Sequence, residues 1–137
     1  MHEVFEHTAD LGLRIRSGTL VDLFTEAGTA LFELMVENIS DVQPVVQRQI
    51  RIVQAEIELL FFDWLNELLY LSDSEQLVLC RFAVGISHNL LEATVWGEPR
   101  DESRHQLDHE VKAITYHQLK LLQEPDGQWL AEAILDI

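Results

Sequence analysis

Two aspartates near opposite ends of this chain have the clearest potential for chemistry. Asp10 precedes the alternating run 11–16, and Asp136 closes a strand-like run one residue before the terminal carboxylate of Ile137. If these two strands are neighbours, both acids and the terminal carboxylate reach one sheet edge. Clustered carboxylates repel one another, and a divalent cation such as magnesium, calcium or manganese relieves that repulsion through oxygen ligands. The alternative is that Asp10 only forms a turn and Asp136 is only a solvated strand end.

Other chemistry finds less support in the sequence. There is no glycine-rich phosphate loop, no His-Glu-x-x-His pair and no Gly-x-Ser-x-Gly elbow. The single cysteine, Cys80, excludes an internal disulfide and a multi-cysteine zinc site, and its apolar surroundings favour a small buried side chain over a catalytic thiol. His105 and His109 have i, i+4 spacing in a loop-like stretch, so a zinc site, a structural role and support of a carboxylate all remain open.

Charge is the strongest signal in the composition. There are 24 acidic residues against 9 Lys and Arg, which gives a formal net charge of −15. Affinity for nucleic acid backbones comes from clustered Lys and Arg, so general RNA or DNA binding is not expected. An acidic surface favours a basic protein partner or divalent cations, although it also serves solubility alone.

Size and hydropathy indicate one globular domain, residues 1–137. Hydrophobic residues make up 47% of the chain, which is enough for a packed core without a disulfide or structural metal. No apolar run approaches the roughly 20 residues of a membrane span. Since the first residues have no basic start or signal-peptide core, a cytoplasmic protein is the expectation.

Hydrophobic periodicity predicts two helices among several strands, in the order strand, helix, strand, helix, strands. Thr19 is a plausible N-cap for the first helix, whose apolar stripe extends to Met35. This order predicts an α+β fold with both helices on one face of a mostly antiparallel, partly mixed sheet. The predicted strands are 4–6, 11–16, 46–55, 77–87, 90–97 and 128–135, with 111–115 and 118–123 as one bent strand or two, and the second helix is 56–72.

The second helix is apolar over most of its circumference, so it should be buried on more than one side. Its narrow polar face carries Asp63, Asn66, Glu67 and Tyr70. That face is either a solvated strip or a surface for a partner.

Four segments together resemble the archease family. They are residues 6–13 with the motif His-Thr-Ala-Asp, 64–71 with Trp-Leu-Asn-Glu-Leu-Leu, 111–117 with Val-Lys-Ala-Ile-Thr-Tyr-His, and 135–137. The first and third are the specific ones, and the four occur in family order across almost the whole chain.

The resemblance implies a small α+β protein that is not itself an enzyme. Archeases activate the RtcB-type RNA ligase of tRNA splicing and RNA repair, promoting its guanylylation and its repeated turnover. The family binds a divalent cation through positions that correspond to Asp10, Asp136 and Ile137. His7 and His105 are possible supporting residues.

A loop in the second half of the chain is also similar to the family pattern. Gly97-Glu98 followed by Asp101 and His105 resembles an acidic loop of the family, whereas residues 102–104 depart from it.

Two other functions stay open at the level of sequence. One is an acidic interaction module, or a chaperone-like modulator, without a metal-dependent role. The other is a metal-dependent hydrolase that uses Asp10, Asp136 and a nearby histidine.

Overall fold

A computed structural model of the chain describes residues 1–7 and 10–137, and of His7 only the backbone. The described residues form two α-helices, a short 3-10 helix at Ile39–Asp41 and seven named strands. In chain order the α-helices and strands are β1 (His2–His7), β2 (Asp10–Ser17), α1 (Leu20–Met35), β3 (Val46–Val53), α2 (Ile57–Glu75), β4 (Leu77–Ser87), β5 (Leu90–Pro99), β6 (Ala113–Gln123) and β7 (Trp129–Asp136).

The strands form two sheets rather than one. One has the order β1-β2-β7-β6 and the other β3-β5-β4, and every pairing between these strands is antiparallel. The predicted α+β class is therefore confirmed, while the mixed single sheet is replaced by two antiparallel ones. Strand periodicity reveals which face of a strand is buried, but not which distant strand pairs with it.

Helix α1 begins where its capping chemistry predicts. The Thr19 hydroxyl accepts a hydrogen bond from the Asp22 backbone N–H at 3.1 Å, which satisfies one of the free amides of the first turn. Its buried face includes Leu23, Phe24 and Leu31.

Helix α2 packs against both sheets and against α1. The buried Trp64 indole N–H donates to the Phe24 carbonyl at 2.9 Å, and Phe24 meets Phe61 edge to face at 5.3 Å. Because α1 contacts β2 and β4 while α2 contacts β3 and β6, each helix bridges the two sheets instead of lying on one face of a single sheet. Neither helix, within the described part of the chain, has the length and hydropathy of a bilayer span.

Strand β6 is continuous but irregular. Its register against β7 shifts between Thr115 and Lys120, and Gln118 has a positive φ of 58° inside the shifted region. The sequence allowed one bent strand or two, and the structure has one strand with a bulge.

Candidate functional site

The pairing of β2 with β7 brings the two aspartates to one edge of the larger sheet. In the antiparallel register Leu11 lies opposite Leu135, and one residue beyond this pair on each strand are Asp10 and Asp136. The structure therefore meets the condition that these two strands are neighbours. The predicted turn before Asp10 includes Thr8 and Ala9, which lie outside the described residues.

The same edge is held from the other side by the start of β6. Ala113 pairs with Asp136, and the Lys112 backbone N–H donates to the Asp136 carbonyl at 2.7 Å. The half-buried Ile137 side chain packs against the core, which keeps the chain terminus at this edge. We call Asp10, Asp136 and the Ile137 carboxylate the carboxylate corner.

The donors of the carboxylate corner are all oxygens, which is the ligand type that hard cations such as calcium, magnesium and manganese take. Two are side-chain carboxylates brought together by register, and the third is the chain terminus. Within the described part of the chain, no three His, Cys, Asp or Glu side chains cluster in a way that could hold a metal ion. The carboxylate corner has only two such side chains and the chain terminus. Its donors fit a divalent cation in chemical type, and the protein would supply few of the ligands.

A second group of polar residues surrounds Glu98, at the end of β5, and includes residues of the loop that follows. His105 is buried, and its Nε2 lies 2.6 Å from a Glu98 carboxylate oxygen that also receives the Arg104 guanidinium at 2.6 Å. The other ring nitrogen, Nδ1, accepts from the Asp101 backbone N–H at 3.0 Å, so Nε2 carries the proton of the neutral ring and donates to Glu98.

Burial alone would raise the pKa of Glu98. The hydrogen bonds from His105 and Arg104, the Arg104 charge and the Gln43 backbone N–H outweigh it, so the pKa of Glu98 lies below its usual value. Glu98 is therefore ionised at neutral pH although it is buried.

The structure gives different information about the two histidines, His7 and His105, that could support the cation site. Both ring nitrogens of His105 are engaged, one by the Glu98 carboxylate of β5 and the other by the Asp101 backbone N–H, so the carboxylate that it contacts is Glu98. The side chain of His7 lies outside the described residues. His109 is partly exposed, with Nε2 3.8 Å from a carboxylate oxygen of Asp108.

Cys80 lies half-buried in β4, at the register shift between Leu79 and Arg81. Burial raises the pKa of its thiol, with a smaller opposing effect from the Arg81 charge. The thiol is thus protonated at neutral pH, as expected for a small packing side chain.

The basic residues are largely engaged by acids. Five of the nine Lys and Arg form ion pairs with Glu side chains: Arg14, Arg16, Arg48, Arg104 and Lys120. Such pairing leaves the acidic excess to dominate the surface potential.

The polar face of α2 is only partly solvated. Glu67 and Tyr70 are exposed, Asp63 accepts from the Gln54 amide at 3.2 Å, and the Asn66 amide donates to the Phe62 carbonyl at 3.0 Å. The face therefore combines a hydrogen-bonded inner edge with an exposed outer edge.

Comparison with known proteins identifies the relatives of this fold. The family model described as the archease protein family (MTH1598/TM1083) matches residues 2–137. An archease of Pyrococcus furiosus is 39% identical over 139 residues, which covers 98% of this chain and 97% of that protein. An archease of Pyrococcus abyssi is 37% identical with the same coverage.

Two solved structures share the fold. The solution structure of protein 1598 of Methanobacterium thermoautotrophicum has a TM-score of 0.88 at 35% identity, and the match covers 99% of this chain and 98% of that one. The crystal structure of a Thermotoga maritima protein, described as an archease and possible chaperone, has a TM-score of 0.69 at 25% identity, covering 100% of this chain and 98% of that one.

Proposed function

This chain belongs to the archease family, and from that premise we propose that it activates an RtcB-type RNA ligase, promoting guanylylation of the ligase and its repeated turnover. The observation that carries the proposal is the register of β2 against β7, which assembles the carboxylate corner from the two ends of the chain. Those are the positions to which the family resemblance assigns the divalent cation.

Asp10, Asp136 and the Ile137 carboxylate would hold the cation. When bound, it supplies positive charge that neutralises the repulsion between the acids and that can organise phosphate oxygens. The chain itself contributes the positioning: the β2–β7 ladder sets the spacing of the aspartates, and the Lys112 N–H fixes the backbone of Asp136. With few protein ligands, such a site exchanges its ion readily.

The charge of the molecule suits a ligase partner. An enzyme that binds RNA and GTP needs a basic surface around its active site, and a protein with a net charge of −15 docks to such a surface by complementary electrostatics. Direct binding of RNA by this chain is not part of the proposal.

A second candidate is a chaperone-like interaction module without a role for metal, because the Thermotoga maritima relative is described as a possible chaperone. It predicts partner binding that survives chelation and substitution of both aspartates. A metal-dependent hydrolase would instead turn over a phosphoester or nucleotide without any partner.

The experiment is ligation of a broken RNA by a limiting amount of a cognate RtcB-type ligase, with GTP and metal, with and without this protein. We expect ligation to rise from at most one joining event per ligase molecule to many. Asp10→Asn and Asp136→Asn should each abolish this gain, since the corner would lose one of two side-chain ligands.

A matched control is Asp22→Asn, which removes one negative charge on α1 outside the carboxylate corner. A second readout is the melting temperature, which calcium or manganese should raise in the wild type and in Asp22→Asn but not in Asp136→Asn. Full activation by both corner variants would refute a role for the carboxylate corner, and turnover of nucleotide by the protein alone would favour the enzyme.

A further inference from the structure

A cavity of about 350 Å³ lies between the ends of the two helices, the start of β4 and the segment 107–111. Its base is apolar and is formed by buried side chains that include Phe32, Met35, Val78 and Val111. This volume is at the lower end of the roughly 300–1,000 Å³ of ligand pockets, so it can hold one large side chain with its backbone.

One wall of the cavity contains an incompletely bonded arginine. The Nη1 and Nη2 groups of Arg100 make only long contacts, 3.4 Å to the Gln76 side-chain oxygen and 3.5 Å to the Ser72 hydroxyl. Its Nε is fully buried, so the two Nη groups are the donors that a bound group can reach. At 3.4 and 3.5 Å these contacts are weak, so the Nη groups retain hydrogen-bonding capacity for an acceptor in the cavity.

The mouth of the cavity is acidic. Asp73, Asp108 and Glu110 line it and are exposed. Together with the net charge of the chain, these carboxylates disfavour an anionic ligand and favour cationic groups at the rim. The acceptor for Arg100 should therefore be a neutral carbonyl.

We infer that this cavity receives one apolar side chain from a basic segment of a partner protein. The apolar side chain fills the base, a backbone carbonyl of the segment accepts from the Arg100 Nη groups, and flanking Lys or Arg residues face the three carboxylates of the mouth. A buried apolar anchor with charged residues at its rim is a common composition of protein interfaces. The inference rests on the proposed function only for the identity of the partner.

Segment 107–111 connects the cavity to the carboxylate corner along the backbone. Segment 107–111 is docked on the end of α1 by the Asp108 N–H to the Met35 carbonyl at 2.9 Å and the His109 N–H to the Leu34 carbonyl at 3.2 Å. Val111 lines the cavity, and the next residue, Lys112, donates its backbone N–H to Asp136. The wall of the cavity and the backbone that holds Asp136 are thus built by adjacent residues.

The chemistry of the cavity is tested without the ligase. The probe is an acetylated and amidated pentapeptide with leucine between two pairs of lysines, and the controls replace the leucine with serine or all lysines with glutamates. Binding is followed by the methyl NMR signals of Met35, Val78 and Val111 in the full-length protein. We expect saturable shifts with the leucine peptide, at least tenfold weaker binding of the serine peptide, and no binding of the glutamate peptide.

Variants test the acidic mouth and the Arg100 contact separately. Glu110→Lys should weaken binding of the leucine peptide about tenfold, whereas Glu92→Lys, the same charge change on an exposed position of β5, should weaken it twofold at most. Arg100→Met should weaken it several-fold while the lysine preference remains. Equal binding of leucine and serine peptides, shifts outside the cavity, or equal effects of the two Lys variants would overturn the inference.

A second arm uses the ligase. Glu110→Lys should raise the concentration of this protein needed for half-maximal activation, with an unchanged plateau, relative to Glu92→Lys. If the wild type binds the leucine peptide at the cavity but does not activate the ligase, the proposed function fails and the cavity chemistry stands. If the wild type activates the ligase but the peptides show no preference, the inference fails alone.

Discussion

At the scale of single residues, carboxylates in two places in this fold have different environments. Glu98 is buried and receives hydrogen bonds from His105 and Arg104, which stabilise its charge within the protein. Asp10 and Asp136 are half-buried at the end of a strand ladder, where we propose that a divalent cation binds. The first arrangement stabilises a loop, and the second suits a ligand.

Glu98→Gln should lower stability at neutral pH and flatten the acid side of the stability profile. Folding lowers the pKa of Glu98, so its ionised form stabilises the protein at any pH above its pKa in the unfolded chain, about 4.5. This contribution disappears as the pH falls through the pKa of Glu98 in the folded protein. Loss of the Glu98 charge should lower the free energy of unfolding by about 1–3 kcal/mol at pH 7. Urea unfolding at pH 7, 5 and 3.5 measures this free energy for the wild type and the variant.

The matched control is Glu92→Gln, an exposed carboxylate on the same strand. It should keep the stability and the pH profile of the wild type. Identical acid profiles for wild type and Glu98→Gln would show that the Glu98 network contributes nothing to the acid sensitivity.

Some residues of the site were identifiable from sequence and others were not. Asp10 and Asp136 stand at strand ends beside turns or termini, so local pattern was enough to select them. The contacts of Arg100 come from Ser72 and Gln76, which belong to another element and lie more than twenty positions away. No local pattern predicts such an environment, because it is created only when the residue after β5 meets the C-terminal end of α2.

At the scale of elements, helical periodicity and capping were reliable guides. Thr19 is the N-cap as predicted, but α2 continues beyond the predicted end at Ser72 and stops at Gln76, whose φ of 54° forms a left-handed C-cap. The Ser72 hydroxyl donates to the Leu77 carbonyl at 2.6 Å, so this serine is part of the packed helix end rather than of a loop. The division into two sheets depends on long-range pairing, which local patterns do not determine.

Gly97→Ala should destabilise the β4–β5 pair. A Cβ at this position would overlap the Val78 carbonyl oxygen of the neighbouring backbone, which cannot move without disturbing the ladder. The expected loss is about 1–3 kcal/mol or more in the free energy of unfolding.

Gly85→Ala in the partner strand is the control, since its Cβ would lie 3.7 Å from the Glu92 oxygen. It should change stability by less than about 1 kcal/mol and in the favourable direction; equal losses in both variants would exclude close backbone approach as the cause.

At the scale of the whole molecule, the excess of acids is the dominant property. Nine Lys and Arg against 24 acids give a formal net charge of −15, and five of the nine already form ion pairs with Glu side chains. This charge repels RNA backbones and attracts a basic protein surface, which is consistent with the proposed partner. The sequence alone predicts this property, because net charge requires no knowledge of the fold.

Sodium chloride should stabilise this protein at pH 7. Two effects oppose each other: salt weakens the exposed ion pairs, each worth about 0–1 kcal/mol, and it screens the mutual repulsion of the excess acids. With 24 acids against 9 bases the repulsion should win, so the urea midpoint should rise between low salt and 0.5 M, where the screening length falls to about 4 Å. Near the isoelectric point of about 4.5 the repulsion vanishes and only the ion-pair effect is left. The same salt series at pH 4.5 is therefore the control, and the urea midpoint should not rise there. A fall in the midpoint at pH 7 would mean that the ion pairs contribute more to stability than the repulsion between the excess acids removes.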